Sequence, residues 1–189
     1  MPKVKSFVVS AFVAASLSAA LPAHAGTMDA PGFWTTPTVH NYGKMHFLPN
    51  GAFKPQPGHT YKVVFSLTQG GKTPDEVSPA LDHVARAVNL YVASGVPLDK
   101  LKFVAVASGS ATSLVLSDAH YRAQFGVPNP NLPLIDALKK DGVTIAVCGQ
   151  AMAQHHFEYD WIDPRVTLSL SALTTLTTLQ QAGYAFMPL

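Results

Sequence analysis

The sequence predicts an α/β fold, with a largely parallel sheet and helices on both faces. Two observations lead there. Runs such as Tyr61–Leu67 and Leu101–Ala107 are β-branched and aromatic with little polar alternation, the composition of strands buried on both faces. Between such runs lie amphipathic stretches of about 10–16 residues, long enough to carry the chain back across a parallel sheet.

The chain opens on a stretch that does not belong to that fold. Lys3 and Lys5 give a basic start, residues 6–21 are uncharged and mostly apolar, and Ala23-His24-Ala25 is a small-x-small cleavage site. This is the order of a secretory signal peptide, too short in its apolar part for a comfortable membrane span. Residues 1–25 are therefore expected to be removed. The mature chain is expected in the periplasm or secreted, with no membrane span. The whole chain has 13 Lys and Arg against 11 Asp and Glu, and the loss of Lys3 and Lys5 leaves eleven of each. A neutral chain whose densest basic pair is Lys139-Lys140 lacks the footprint of a nucleic-acid binder.

Residues 26–60 are rich in proline and glycine and show little periodicity. Phe33, Trp34, Tyr42, Phe47 and Phe53 are too many aromatics for a segment that never packs. An irregular arm is expected, wrapped on its own domain or on a neighbouring subunit. Residues 61–189 then form one domain.

Tyr61–Leu67 is its first strand. Ser78 and Pro79 suit the cap and first position of a helix. Leu81, Val84, Ala85, Val88, Tyr91 and Val92 follow on one helical face, and Gly95 and Pro97 end it. Leu101–Ala107 is the second strand, released at Ser108-Gly109-Ser110. Residues 113–116 fit a short strand or a helical turn. Asn129-Pro130-Asn131 precedes a helix over 132–140, closed by Gly142. Residues 143–147 form the next strand, and a helical turn is expected from Gly149 to about His156. After Pro164 comes a strand over 166–170. Ser171 caps a last helix whose Leu173, Leu176 and Leu179 read as core or subunit interface. Gly183 ends it, and 184–187 form a final strand.

Cys148 stands at the carboxyl end of the strand over 143–147, where open α/β sheets place their chemistry. A thiol there lies near backbone N–H groups that favour the thiolate. The opposing reading is a small buried hydrophobe, the common fate of a free cysteine. A lone cysteine forms no disulfide within its own chain. The pocket candidates beside it are Gly149, Gln150, Ser108, Gly109, Ser110 and Asn129. A phosphatase or rhodanese loop wants an arginine five or six residues on, where Ala153 and Gln154 stand. A thioredoxin motif wants a second cysteine at Ala151. A cysteine hydrolase wants a histidine base, which His83, His120, His155 or His156 would have to supply. Gly71-Lys72-Thr73 lacks the earlier glycine of a phosphate loop, since Ser66 holds its place. Ser110 and Ser113 lie in no G-x-S-x-G elbow. The histidines are scattered, so no metal site is expected.

Several ordered segments together resemble the DsrE/DsrF-like family. They are Ala85-Arg86-Ala87-Val88-Asn89, Asn129-Pro130-Asn131, the run from Gly142 through Val147-Cys148-Gly149-Gln150, and Ser171-Ala172-Leu173 through Gln181-Ala182-Gly183-Tyr184. The likeness runs from about Phe33 to the C-terminus and is strongest to an exported branch with a signal peptide and an aromatic arm. It implies a three-layer α/β/α sandwich with a five-stranded, mainly parallel sheet, homo-oligomers such as trimers or hexamers, and no cofactor. In the best-known members the cysteine matching Cys148 takes sulfur as a persulfide from a donor and relays it to an acceptor protein. One departure stands out: Ser108-Gly109 occupies the place where this branch often has His-Gly. Three functions remain open: a sulfur carrier, a non-catalytic ligand-binding or interaction module with Cys148 as a structural thiol, and a thiol redox sensor.

Overall fold

The computed structural model describes Met28 and residues 30–189, so the expected signal peptide lies outside the described residues. Five strands form one sheet: β1 (Tyr61–Leu67), β2 (Leu101–Ala107), β3 (Thr144–Cys148), β4 (Thr167–Ser169) and β5 (Ala185–Pro188). Their order is β4-β3-β2-β1-β5, and every adjacent pair is parallel. The expected α/β sandwich is therefore the observed one, with the sheet wholly parallel.

The pleat sends Val63, Phe65 and Leu67 of β1 to one face and Val64 to the other. On the first face lie α1 (Pro79–Ala93) and α3 (Leu132–Lys140). Leu81, Val84 and Val88 of α1 and Leu134, Ile135 and Leu138 of α3 are buried against Phe103, Ile145 and Val147. Ser78 caps α1 by accepting a hydrogen bond from the Leu81 amide, with Pro79 in the first turn.

Among the described residues the opposite face is covered by α5 (Ala172–Gln181), capped by Ser171. Its connection joins β4 to β5, the two edges of the sheet. Four strand spacings amount to about 19 Å, and a ten-residue helix reaches about 15 Å. So α5 crosses the sheet and leaves its corners uncovered. Leu176 and Leu179 pack on Val64, Val106 and Ala146. Leu173, expected with them, is 79% exposed.

Residues 109–115 are a 3₁₀ helix, which settles the turn against the strand for 113–116. Leu116 then makes a single antiparallel bridge to Ile162. The helix α2 (Asp118–Phe125) has no counterpart among the sequence expectations, because only Tyr121 is buried and no apolar stripe marks it. A short α4 (Gly149–Gln154) follows β3 directly. The edge strands are shorter than or shifted from expectation: β4 pairs over three residues only, and Tyr184 is used to close α5 rather than to start β5.

The arm is irregular and held from beneath by Asn89 of α1. The Asn89 carboxamide oxygen accepts from the amides of Thr38 and Val39 at 3.0 and 2.8 Å, and its nitrogen donates to the carbonyls of Tyr42 and Gly43 at 2.9 and 3.0 Å. Gly43 allows that approach, since a side chain there would lie 2.2 Å from the Arg86 backbone nitrogen, and its φ is +61°. Buried hydrogen bonds contribute about 1 kcal/mol each, and more is lost where a partner stays buried and unpaired. Asn89→Ala is expected to cost about 3 kcal/mol in urea unfolding and to open residues 30–60 to limited proteolysis. Unchanged protection of the arm would contradict this role.

Candidate functional site

The register sets Leu67, Ala107, Val147 and, one residue on, Cys148 beside Ser169, so four strands end along one edge of the sheet. The loops that leave this edge carry the candidate residues. They fall into two groups rather than one pocket.

The first group surrounds the thiol. Cys148 is the last residue of β3 and the cap residue of α4, and the Ala151 amide donates to Sγ at 3.4 Å. The neighbouring strand then brings a second set of donors. The chain leaves β4 through Leu170 and turns into α5, which brings the Ala172 amide and the Ser171 hydroxyl near enough to the thiol to lower its pKa. The Ser171 oxygen accepts from the Leu173 amide at 3.2 Å as the cap of α5. Burial pushes the Cys148 thiol up. The amides of Ala172, Ala151 and Gln150 and the Ser171 hydroxyl outweigh it, and the thiol is more acidic than a free cysteine. The residue is 5% exposed.

Gly149 and Gln150 hold the two turns together. A methyl group on Gly149 would lie 2.9 Å from the Ser169 carbonyl oxygen and 3.4 Å from that of Leu170. The Gln150 side-chain amide donates to the Leu170 carbonyl at 3.2 Å, and the Ser169 hydroxyl donates to the Val147 carbonyl at 2.8 Å. Beside them opens a cleft of about 310 Å³ lined by Gly149, Gln150, Tyr159, Leu168, Ser169 and Leu170.

The second group lies over β1 and β2. The Ser110 hydroxyl donates to the Thr68 carbonyl and accepts from the Gly70 amide, both at 3.2 Å. Ser110 and Ser113 border a smaller cleft of about 200 Å³ with Gly70–Pro74 and Tyr121. Ser108 and Gly109 form the turn into the 3₁₀ helix, and Gly109 has a φ of +55°. His155 links the groups, and its Nε2–H donates to the Gly109 carbonyl at 2.9 Å. Asn129 joins neither group. Its side chain donates to the carbonyls of Leu114 and Leu116 and accepts from the Asn131 amide, so it ties the 3₁₀ segment to α3 and is no pocket residue.

The residues that sequence reasoning missed are Ser171 and Ala172. Ser171 was legible as a helix cap. Only the placement of β4 beside β3 brings that cap beside the thiol. Among the described residues no three His, Cys, Asp or Glu side chains gather as a metal site, and no helix is long and apolar enough to cross a membrane.

The profile of the DsrE/DsrF-like family matches residues 62–189. The chain belongs to the DsrE/DsrF-like family. Its fold is similar to a solved protein of unknown function from Methanobacterium thermoautotrophicum, with a TM-score of 0.51 and 17% identity over 68% of this chain and 99% of that one. No curated protein matches. The DsrE match begins at Lys62, so the arm precedes it.

Two outcomes test the site of this DsrE-family chain. Gly149→Ala drives Cβ into the β4–α5 turn and is expected to destabilise by about 1–3 kcal/mol in urea, with slower alkylation of Cys148 or a raised thiol pKa. The second concerns pH. A thiol more acidic folded than unfolded contributes stability above the unfolded value, about 8.5. That contribution is lost as pH falls through the folded value. The stability of the wild type relative to Cys148→Ala is expected to rise with pH from neutral to alkaline, and Ser171→Ala to shrink the rise. A flat difference in unfolding free energy across this range would refute the donor arrangement.

Proposed function

We propose that Cys148 is the sulfur-accepting group of a DsrE-family sulfur carrier. The observation that carries this reading is the place of Sγ at the end of β3, where it accepts from the Ala151 amide at 3.4 Å and where the thiol is more acidic than a free cysteine despite burial. The same donors suit the terminal anion of a persulfide, whose charge sits one atom further out. The departure at Ser108 fits as well, because Ser171 and the backbone supply the support that a histidine would give.

The transfer balances without an added oxidant. The Cys148 thiolate attacks the outer sulfur of a donor persulfide, an Sγ–S bond forms, the donor's S–S bond breaks, and its electron pair leaves with the donor thiolate. An acceptor thiolate then attacks the outer sulfur, and Cys148 departs as thiolate. The cleft beside Gly149 and Gln150 is the route by which a donor approaches. Membership of the family supports this reading, as does the position of Cys148 at a strand end. Export to the periplasm and assembly into a homo-oligomer belong to the same proposal and rest on the sequence.

A second reading draws on the 5% exposure of Cys148, which also suits a structural thiol in a binding module. The two separate in one experiment. The chain is incubated with a persulfide donor and its intact mass is read, with Cys148→Ser as control. A gain of one sulfur atom, reversed by thiol and absent in Cys148→Ser, is expected. No gain under any donor, together with no labelling of the native thiol by iodoacetamide, overturns the carrier and leaves the structural thiol.

A further inference from the structure

The arm and α1 enclose a groove with no part in the chemistry of Cys148. Arg86, Leu90 and Ser94 follow one another at four-residue steps and form its floor along α1. At one end Phe33, Trp34 and Met45 wall a cleft of about 340 Å³. At the other, Phe47, Phe53 and Lys54 wall one of about 350 Å³. His46, Leu48 and Leu90 border both, so the clefts adjoin. Each volume suits a small molecule, whose sites span about 300–1,000 Å³.

The walls are ordered around aromatic stacking. The Phe33 and His46 rings lie 3.8 Å apart and nearly parallel, and Trp34 meets Phe33 edge-on at 5.5 Å. Trp34 nevertheless remains 49% exposed and Leu48 60% exposed. Charge in the groove has one sign. Arg86 and Lys54 line it, and among the described residues no acid does. Lys54 donates to the Pro49 carbonyl. Arg86 differs: its Nε is buried with no hydrogen-bond partner among the described residues. The guanidinium of Arg86 lines the cleft, and its planar donors suit an anionic group set against an apolar wall.

We propose that this groove binds a small amphiphilic organic anion, with its apolar body between Trp34 and Leu90 and its acidic head on Arg86. The site is separate from Cys148 and stands or falls independently of the carrier reading.

The test is a fluorescence titration of the full chain with 8-anilinonaphthalene-1-sulfonate and with its uncharged relative N-phenyl-1-naphthylamine. Saturable binding of the sulfonate is expected to quench Trp34, with the quench lost in Trp34→Phe. The sulfonate should bind roughly tenfold more tightly than the uncharged probe, as a charge-assisted contact requires. Arg86→Met is expected to remove that preference and leave the uncharged probe unaffected. Should Arg86→Met fail to fold, Leu48→Glu carries the same test, since it sets a carboxylate on an exposed wall and weakens the sulfonate selectively. Absence of saturable binding, equal affinity for both probes, a preference that survives both substitutions, or a quench that persists in Trp34→Phe overturns the proposal.

Discussion

The turn out of β3 and the turn out of β4 have to lie in van der Waals contact, and a glycine at 149 permits it. With any side chain there, the Ser169 and Leu170 carbonyls would be pushed away, and Ser171 and Ala172 would go with them. The acidity of Cys148 depends on this contact. Burial alone raises a thiol pKa, and the amides of α4 are only part of the compensation. The remainder comes from α5, a helix that begins more than twenty residues later. A sulfur buried between two chain turns is thereby made more acidic than a free cysteine while most solvent is excluded.

The same connection shapes the rest of the molecule. Because β4 and β5 occupy opposite edges, the chain between them crosses an entire face of the sheet, and among the described residues one ten-residue helix covers it. From Val166 to the C-terminus the sequence carries no charged side chain, yet Leu168, Leu170 and Leu173 are exposed. The other face is closed by two amphipathic helices, and on the outside of the first lies the arm. Asn89 joins the two by satisfying four backbone groups of an irregular segment whose own pairing, among the described residues, is a single bridge between Thr35 and Met45. That irregular backbone leaves aromatic walls standing over α1 instead of collapsing onto it.

Much of the fold was legible because its signals are local. Ser78-Pro79, Gly95, Gly142 and Ser171 mark helix ends through capping chemistry, and the apolar runs of β1, β2 and β3 need no partner to be recognised. The failures have equally physical causes. The helix α2 buries a single residue, so nothing periodic announces it. Asn129 looked like a loop residue at a functional edge, because polar punctuation reads alike whether its side chain faces a ligand or satisfies a buried carbonyl. Leu173 keeps helical spacing with Leu176 and Leu179 but is exposed, so of its two readings, core or subunit interface, the fold of this chain excludes the core.

The sequence by itself determined the class of the fold, the family, and the position of Cys148 at the end of a buried strand, because each follows from residues close together in the chain. Only the tertiary structure decided what surrounds that sulfur. The order of strands in a sheet is set by packing between distant segments, and it placed β4 beside β3, brought the Ser171 cap beside the thiol, and set Ser110 and Asn129 apart from it. The groove under the arm was decided in the same way, since Arg86 and Trp34 meet only where residues 30–60 fold back over α1.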